Sequence, residues 1–149
     1  MIVNAANTEL RQGGGVCGAI FRAAGADRLR RSCDALSPIR TGEAVITPGF
    51  GLPARYIVHT AGPIWRGGGH GEERLLRDSY VNSLQLAWKH GCMSIAFPLI
   101  SSGIYGYPME EAMRVASEAI RGFLADHDMT VVVAVLDQHV YRMGERYFR

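Results

Sequence analysis

Apolar positions recur along this chain in two alternating rhythms. Short runs bounded by turn residues read as strands: Ile2-Val3-Asn4-Ala5, Ala44-Val45-Ile46-Thr47, Arg55 to Thr60, Ser94 to Leu99 and Thr130 to Leu136. Between them, apolar residues repeat at helical spacing. Val16, Ile20 and Ala23 or Ala24 mark a helix over 16–24, and Leu29, Cys33 and Leu36 mark one over 26–36. Leu76, Tyr80, Leu84 and Ala87 or Trp88 form the stripe of a helix over 72–90, with Trp88 expected in the core. Met113, Ala116, Ile120 and Leu124 do the same over 109–125. The valine-rich run from Thr130 has the pattern of an interior strand covered on both faces, and Asp137 is placed to cap a last helix through Phe148. The order strand, helix, helix, strand, strand, helix, strand, helix, strand, helix predicts a three-layer α/β/α sandwich with a mixed central sheet.

Two loops stand out against this frame. Pro98-Leu99-Ile100-Ser101-Ser102-Gly103-Ile104-Tyr105-Gly106-Tyr107-Pro108 carries an apolar strand into a helix through small residues, which leave backbone N–H groups uncovered. Such groups at a helix N-terminus bind phosphate. Gly13-Gly14-Gly15 followed by Val16-Cys17-Gly18-Ala19-Ile20 repeats the arrangement near the start. In sheets of this kind ligands bind outside the carboxyl ends of the strands, where both loops fall, so a ligand with a diphosphate is expected. A third glycine cluster, Arg66-Gly67-Gly68-Gly69-His70-Gly71, lacks a following Gly-Lys-Ser/Thr and reads as a mobile linker.

Composition narrows the picture further. The 149 residues suit a single domain, 1–149, and 48% hydrophobic with 20% charged residues is an ordinary globular balance. A net charge of +2 demands no nucleic-acid or membrane surface, and the Arg28, Arg30, Arg31 cluster reads as a solvated helix face. Cys17, Cys33 and Cys92 are an odd set without Cys-x-x-Cys spacing, which argues against a disulfide framework and a zinc site. No run suits a membrane span or a signal peptide. The expectation is a cytoplasmic monomer without membrane contact, metal or cofactor.

Taken together, five segments resemble the macrodomain family, closest to its MacroD-like branch. They are Ile2 to Asn7, Gly13 to Ile20, Thr41 to Ala44, Tyr56 to Pro63 and Ile100 to Pro108. The resemblance spans nearly the whole chain and implies binding of ADP-ribose, alone or on modified protein or nucleic acid. In many members it also implies removal of ADP-ribose from macromolecules or deacetylation of O-acetyl-ADP-ribose. By that similarity the backbones of Ser101, Ser102, Gly103, Ile104 and Tyr105 would hold the diphosphate opposite Gly14, Gly15, Val16 and Cys17. Tyr105 would pack on the distal ribose and Asn7 would bond its hydroxyls, while Asn7 and Cys17 are the candidate catalytic residues. The residues alone leave a plainer role open, with Ser101 and Ser102 satisfying turn backbone and Asn7 capping a strand end. Asn4 and His59 read as buried structural groups.

The chain departs from the family pattern twice. MacroD-like hydrolases carry an aspartate after Gly-Gly-Gly-Val, where this chain has Cys17. General-base assistance is worth on the order of 10² to 10⁴ in rate, so the change leaves a hydrolase and a non-catalytic ADP-ribose reader as the alternatives. The family also has an earlier strand whose aspartate contacts adenine, and no aromatic to stack on adenine is evident at Val135-Leu136-Asp137. A strand at residue 2 would leave an open sheet edge, so the first edge strand is expected to be missing and the sequence truncated.

Overall fold

The computed structural model describes residues 1–148 and has the predicted order of elements: β1 (Ile2–Ala6), α1 (Gly15–Ala24), α2 (Ala26–Asp34), β2 (Ala44–Pro48), β3 (Tyr56–Ala61), α3 (Glu72–Lys89), β4 (Ser94–Phe97), α4 (Met109–Leu124), β5 (Thr130–Val133) and α5 (Gln138–Phe148). The five strands form one mixed sheet in the order β2-β3-β1-β4-β5. β3, β1, β4 and β5 run parallel, and β2 is antiparallel to β3. Parallel strands need crossovers, and the helices that supply them cover both faces.

The alternation of side chains along a strand divides the core in two. On β3, Ile57 faces a cluster with Ile20 and Phe21 of α1 and Leu29 and Cys33 of α2. Its neighbour Val58 faces the opposite cluster with Leu76, Tyr80 and Leu84 of α3 and Val115, Ala116 and Ile120 of α4. α5 packs on the flank of α4 through Val140, Met143 and Met113. Among the described residues no helix is long and apolar enough to cross a membrane.

Four expectations need correction. β1 itself lies at the centre of the sheet between β3 and β4 rather than at an edge; the edges are β2 and β5. The 130–136 run is accordingly not an interior strand: β5 stops at Val133, and Val132 is half exposed. Trp88 is also exposed, standing edge-on to His127 at 4.7 Å, and Ala87 completes the buried stripe of α3. Val16 and Leu36 face solvent rather than the core, because α1 presents Cys17, Ile20, Phe21 and, of the alanine pair, Ala24 inward, and α2 ends before Leu36.

Candidate ligand-binding cleft

The carboxyl ends of all four parallel strands open on one cleft of about 500 Å³. β1 delivers Ala5 to Asn7, β3 delivers Gly62, β4 delivers the 98–105 stretch and β5 delivers Ala134 to Asp137. Gly13 to Cys17 close it from the side of α1. This is the position at which parallel α/β sheets receive ligands.

One wall is the amino end of α1. Its cap residue is Gly14, with no side-chain hydrogen bond to the helix and no acidic residue in the first turn. Gly15 takes φ +57°, which glycine adopts without strain. The first backbone bond of this turn runs from Gly18 N–H to Gly14 C=O at 3.2 Å. That leaves the N–H groups of Gly15, Val16 and Cys17 as the orphans of the first turn, where the helix dipole favours an anion.

The opposite wall is the β4–α4 loop, which is tied internally and from behind. Tyr107 N–H donates to Ser101 C=O at 2.9 Å and Gly106 N–H to Gly103 C=O at 3.0 Å. The buried hydroxyl of Tyr80 on α3 accepts the Ile100 N–H at 3.0 Å, and burial raises its pKa well above the usual phenol range. Ser102 donates its hydroxyl to Leu99 C=O at 2.7 Å, the turn-satisfying role. Ser101 differs: it holds φ +66°, and its buried hydroxyl has no partner among the described residues. A non-glycine residue in that region costs on the order of 1–3 kcal/mol and collects at ligand clamps. Gly103, Ile104 and Tyr105 line the cleft, with the Ile104 side chain standing out in solvent.

Asn7 and Cys17 meet at one backbone atom. Asn7 Nδ2 donates to Arg11 C=O at 3.1 Å while its Oδ1 accepts Arg11 N–H at 3.0 Å. The Cys17 thiol also points at Arg11 C=O, at 3.7 Å, and its sulfur takes the Asn4 amide at 3.6 Å. Both candidates therefore brace the 7–11 turn. The Asn7 amide keeps one proton and one lone pair for a ligand. No His or carboxylate is hydrogen-bonded to Cys17 among the described residues.

Beneath this wall lies a buried polar network. Asn4 Nδ2 and His59 Nδ1 lie 3.1 Å apart, His59 Nε2 is 3.0 Å from the Thr47 hydroxyl and 3.9 Å from the Cys33 sulfur. Burial lowers the His59 pKa to about 4, so the ring is neutral and structural. Burial first, then Cys17 and Asp34, raises the Cys33 thiol to about 11. Asn4 and His59 thus have the structural roles expected of them.

Met109, Ala134 and Val140, which no motif flagged, also reach the cleft, beside Gly62 of the Tyr56 to Pro63 segment and Val135, Leu136 and Asp137 after the last strand. Leu136 is fully exposed, and Asp137 Oδ1 accepts the His139 N–H at 2.7 Å as the cap of α5. The position just beyond the end of a parallel strand was the available signal. Among the described residues no group of His, Cys, Asp or Glu side chains is arranged to hold a metal ion.

Strand order, layers and a cleft walled by unengaged N–H groups define an α/β/α domain built to receive an anionic ligand. The chain belongs to the Macro domain family, which matches residues 3–116. It is similar to the Macro domain-containing protein CT2219 of Chlorobaculum tepidum, 57% identical over 125 residues that cover 84% of this chain and 72% of the relative. It is also similar to a protein of Escherichia fergusonii named O-acetyl-ADP-ribose deacetylase, 48% identical over 134 residues, 85% of this chain and 73% of that one. Among solved structures, a mutant Oceanobacillus iheyensis macrodomain with ADPR superposes with a TM-score of 0.93 at 40% identity, covering 98% of this chain and 82% of that chain.

Proposed function

We propose that this domain binds ADP-ribose and hydrolyses bonds at its distal ribose, removing mono-ADP-ribose from modified macromolecules or deacetylating O-acetyl-ADP-ribose. The observation that carries this reading is the pair of opposed N–H walls, the first turn of α1 and the 101–105 loop, across a cleft of about 500 Å³. A diphosphate between them receives donors from both sides, with the α1 dipole adding to the attraction. Tyr105, half-buried in the lining, packs on the distal ribose, and the free proton and lone pair of Asn7 reach its hydroxyls. The similarity to a named O-acetyl-ADP-ribose deacetylase supports the chemistry, and the macrodomain solved with ADPR supports the ligand.

With Cys17 in the wall, no carboxylate is hydrogen-bonded to Asn7 or Cys17 among the described residues. In this reading Asn7 orients the water, a substrate phosphate accepts its proton and the loop amides stabilise the negative charge that develops. A second reading, an ADP-ribose reader without turnover, draws on the same residue. The Cys17 sulfur is occupied by Asn4 and Arg11 and lacks the acceptor strength of a carboxylate.

Calorimetry with ADP-ribose, paired with product release from O-acetyl-ADP-ribose and a mono-ADP-ribosylated protein, tests both readings. The hydrolase reading expects tight binding and measurable release, lost in Asn7→Ala and raised on the order of 10²-fold in Cys17→Asp. Binding without release in the wild type, with release gained in Cys17→Asp, selects the reader. Absence of ADP-ribose binding overturns both.

A further inference from the structure

The 66–71 segment is not a free linker. Glu72, the first residue of α3, is buried, and its carboxylate gathers three backbone donors from the segment before it. Arg66 N–H and Gly68 N–H reach Oε2, both at 2.9 Å, and His70 N–H reaches Oε1 at 2.6 Å. These bonds hold the carboxyl near a pKa of about 2, against the upward push of burial. These bonds do not cap α3, whose cap residue is Gly71.

The held segment is instead tied to the phosphate-facing loop through Trp65. Gly68, at φ +92°, lies so close under the Trp65 ring that a Cβ there would come within 2.9 Å of it. The same indole packs on Tyr107 in a tilted arrangement, ring centres 4.8 Å apart. The backbone N–H of Trp65 donates to Tyr105 C=O at 2.8 Å, and that of Tyr107 donates to Ser101 C=O at 2.9 Å. One carboxylate, three amides and one indole thus form a continuous line of contacts to the residues that face the ligand.

We infer that Glu72 is a positioning residue for the cleft: through the 66–70 backbone and Trp65 it holds Tyr105 and Tyr107, and with them the 101–105 wall, in the geometry that receives a diphosphate. The inference rests on the proposed function for the identity of the ligand, and on geometry alone for the coupling. Preorganisation of this kind acts on affinity by removing the ordering cost at binding.

Amide hydrogen exchange on the ligand-free full chain, compared between wild type and Glu72→Gln, tests the coupling without any ligand. Gln keeps the shape and loses one acceptor oxygen. Exchange is expected to quicken at Arg66, Gly68 or His70 and also at Trp65, Gly106 and Tyr107, with Val58 and Phe97 in the central strands unchanged. In the same variant ADP-ribose affinity is expected to fall about tenfold. Trp65→Ala, which leaves the carboxylate in place, is expected to quicken Gly106 and Tyr107 while 66–70 stay protected. Where Glu72→Gln does not fold, Gly68→Ala displaces the indole instead and carries the same expectation. Faster exchange confined to 66–70, or unaltered affinity in a variant whose 66–70 amides have loosened, overturns the inference. A wild type that ignores ADP-ribose overturns the proposed function, and the exchange pattern still decides the coupling.

Discussion

The glycine wall at 13–17 and the serine wall at 101–105 line the same cleft, but they are held in different ways. A methyl group added to Gly13, Gly14 or Gly15 would meet nothing within 4 Å, and the cap of α1 has no side-chain bond. Its support comes from below, through Asn4, His59, Thr47 and the Arg11 carbonyl that Asn7 and Cys17 share. The serine wall is held from behind by Tyr80, Trp65 and its own turn bonds, and it stores strain at Ser101. One wall has room to adapt to a ligand, while the other is set before the ligand arrives. A ligand clamped between a fixed and an adjustable surface is aligned by the first and enclosed by the second.

The comparison is broken most sharply at Gly103, which has no positive φ and no atom within 4 Å of an added Cβ. Gly103→Glu is therefore expected to leave the fold intact while placing a carboxylate where phosphate belongs. Like charges brought together at a binding site cost several kcal/mol, so ADP-ribose affinity should fall on the order of 1,000-fold with an unchanged melting temperature. Calorimetry and a thermal melt on the same sample check it. Unaltered affinity would place the diphosphate elsewhere.

Acid should separate the two walls. The His59 pKa lies at about 4 in the fold and near 6.5 in the unfolded chain, so between those values the unfolded state takes up a proton that the folded state refuses. Stability is full above pH 6.5, declines as the pH falls below it and levels off near 4, with a total loss of about 3 kcal/mol. Glu72, lowered to about 2 against the push of burial by the backbone amides of Arg66, Gly68, His70 and Glu72 itself, keeps its charge through that window. Its contribution is present above the ordinary 4.5 of an unfolded glutamate and is lost only as the pH falls from there toward 2. Melts from pH 7.5 to 4.2 should show the first decline. Protection factors at pH 5 should drop in α1 before they drop at Tyr107.

Periodicity made the element order and the two loops readable, because burial of one helix face and alternation along strands leave direct marks on sequence. Strand order left none at β5: valines suit a sheet interior and a sheet edge alike, and only the tertiary arrangement shows that Val132 is half exposed. Trp88 satisfied helical spacing as well as Ala87 did, yet it lies just off the buried stripe. At the site, Asn7 and Cys17 were identifiable as residues, but not their convergence on the Arg11 carbonyl, which depends on the path of an irregular turn. Glu72 carried no distinguishing mark, since an acid in the first turn of a helix is ordinary. Its function comes from the three amides that the preceding glycines fold back onto it.

The smaller predictions use alanine as a ruler for the two walls. A methyl group on Gly62 would overlap the Ser101 hydroxyl and the Ile100 side chain, so Gly62→Ala presses on a wall already fixed by Tyr80. Overpacking of this kind costs about 1–3 kcal/mol, read as a lower melting temperature, and ADP-ribose affinity should fall with it. Gly13→Ala meets open space at a residue without positive φ, so stability should stay within about 0.5 kcal/mol of wild type, as for a surface substitution. Affinity should change no more than about twofold, because the adjustable wall absorbs one methyl group. Equal losses in the two variants would mean that the glycine wall is as rigid as the serine wall, and that its open space is needed by the ligand rather than left for adjustment.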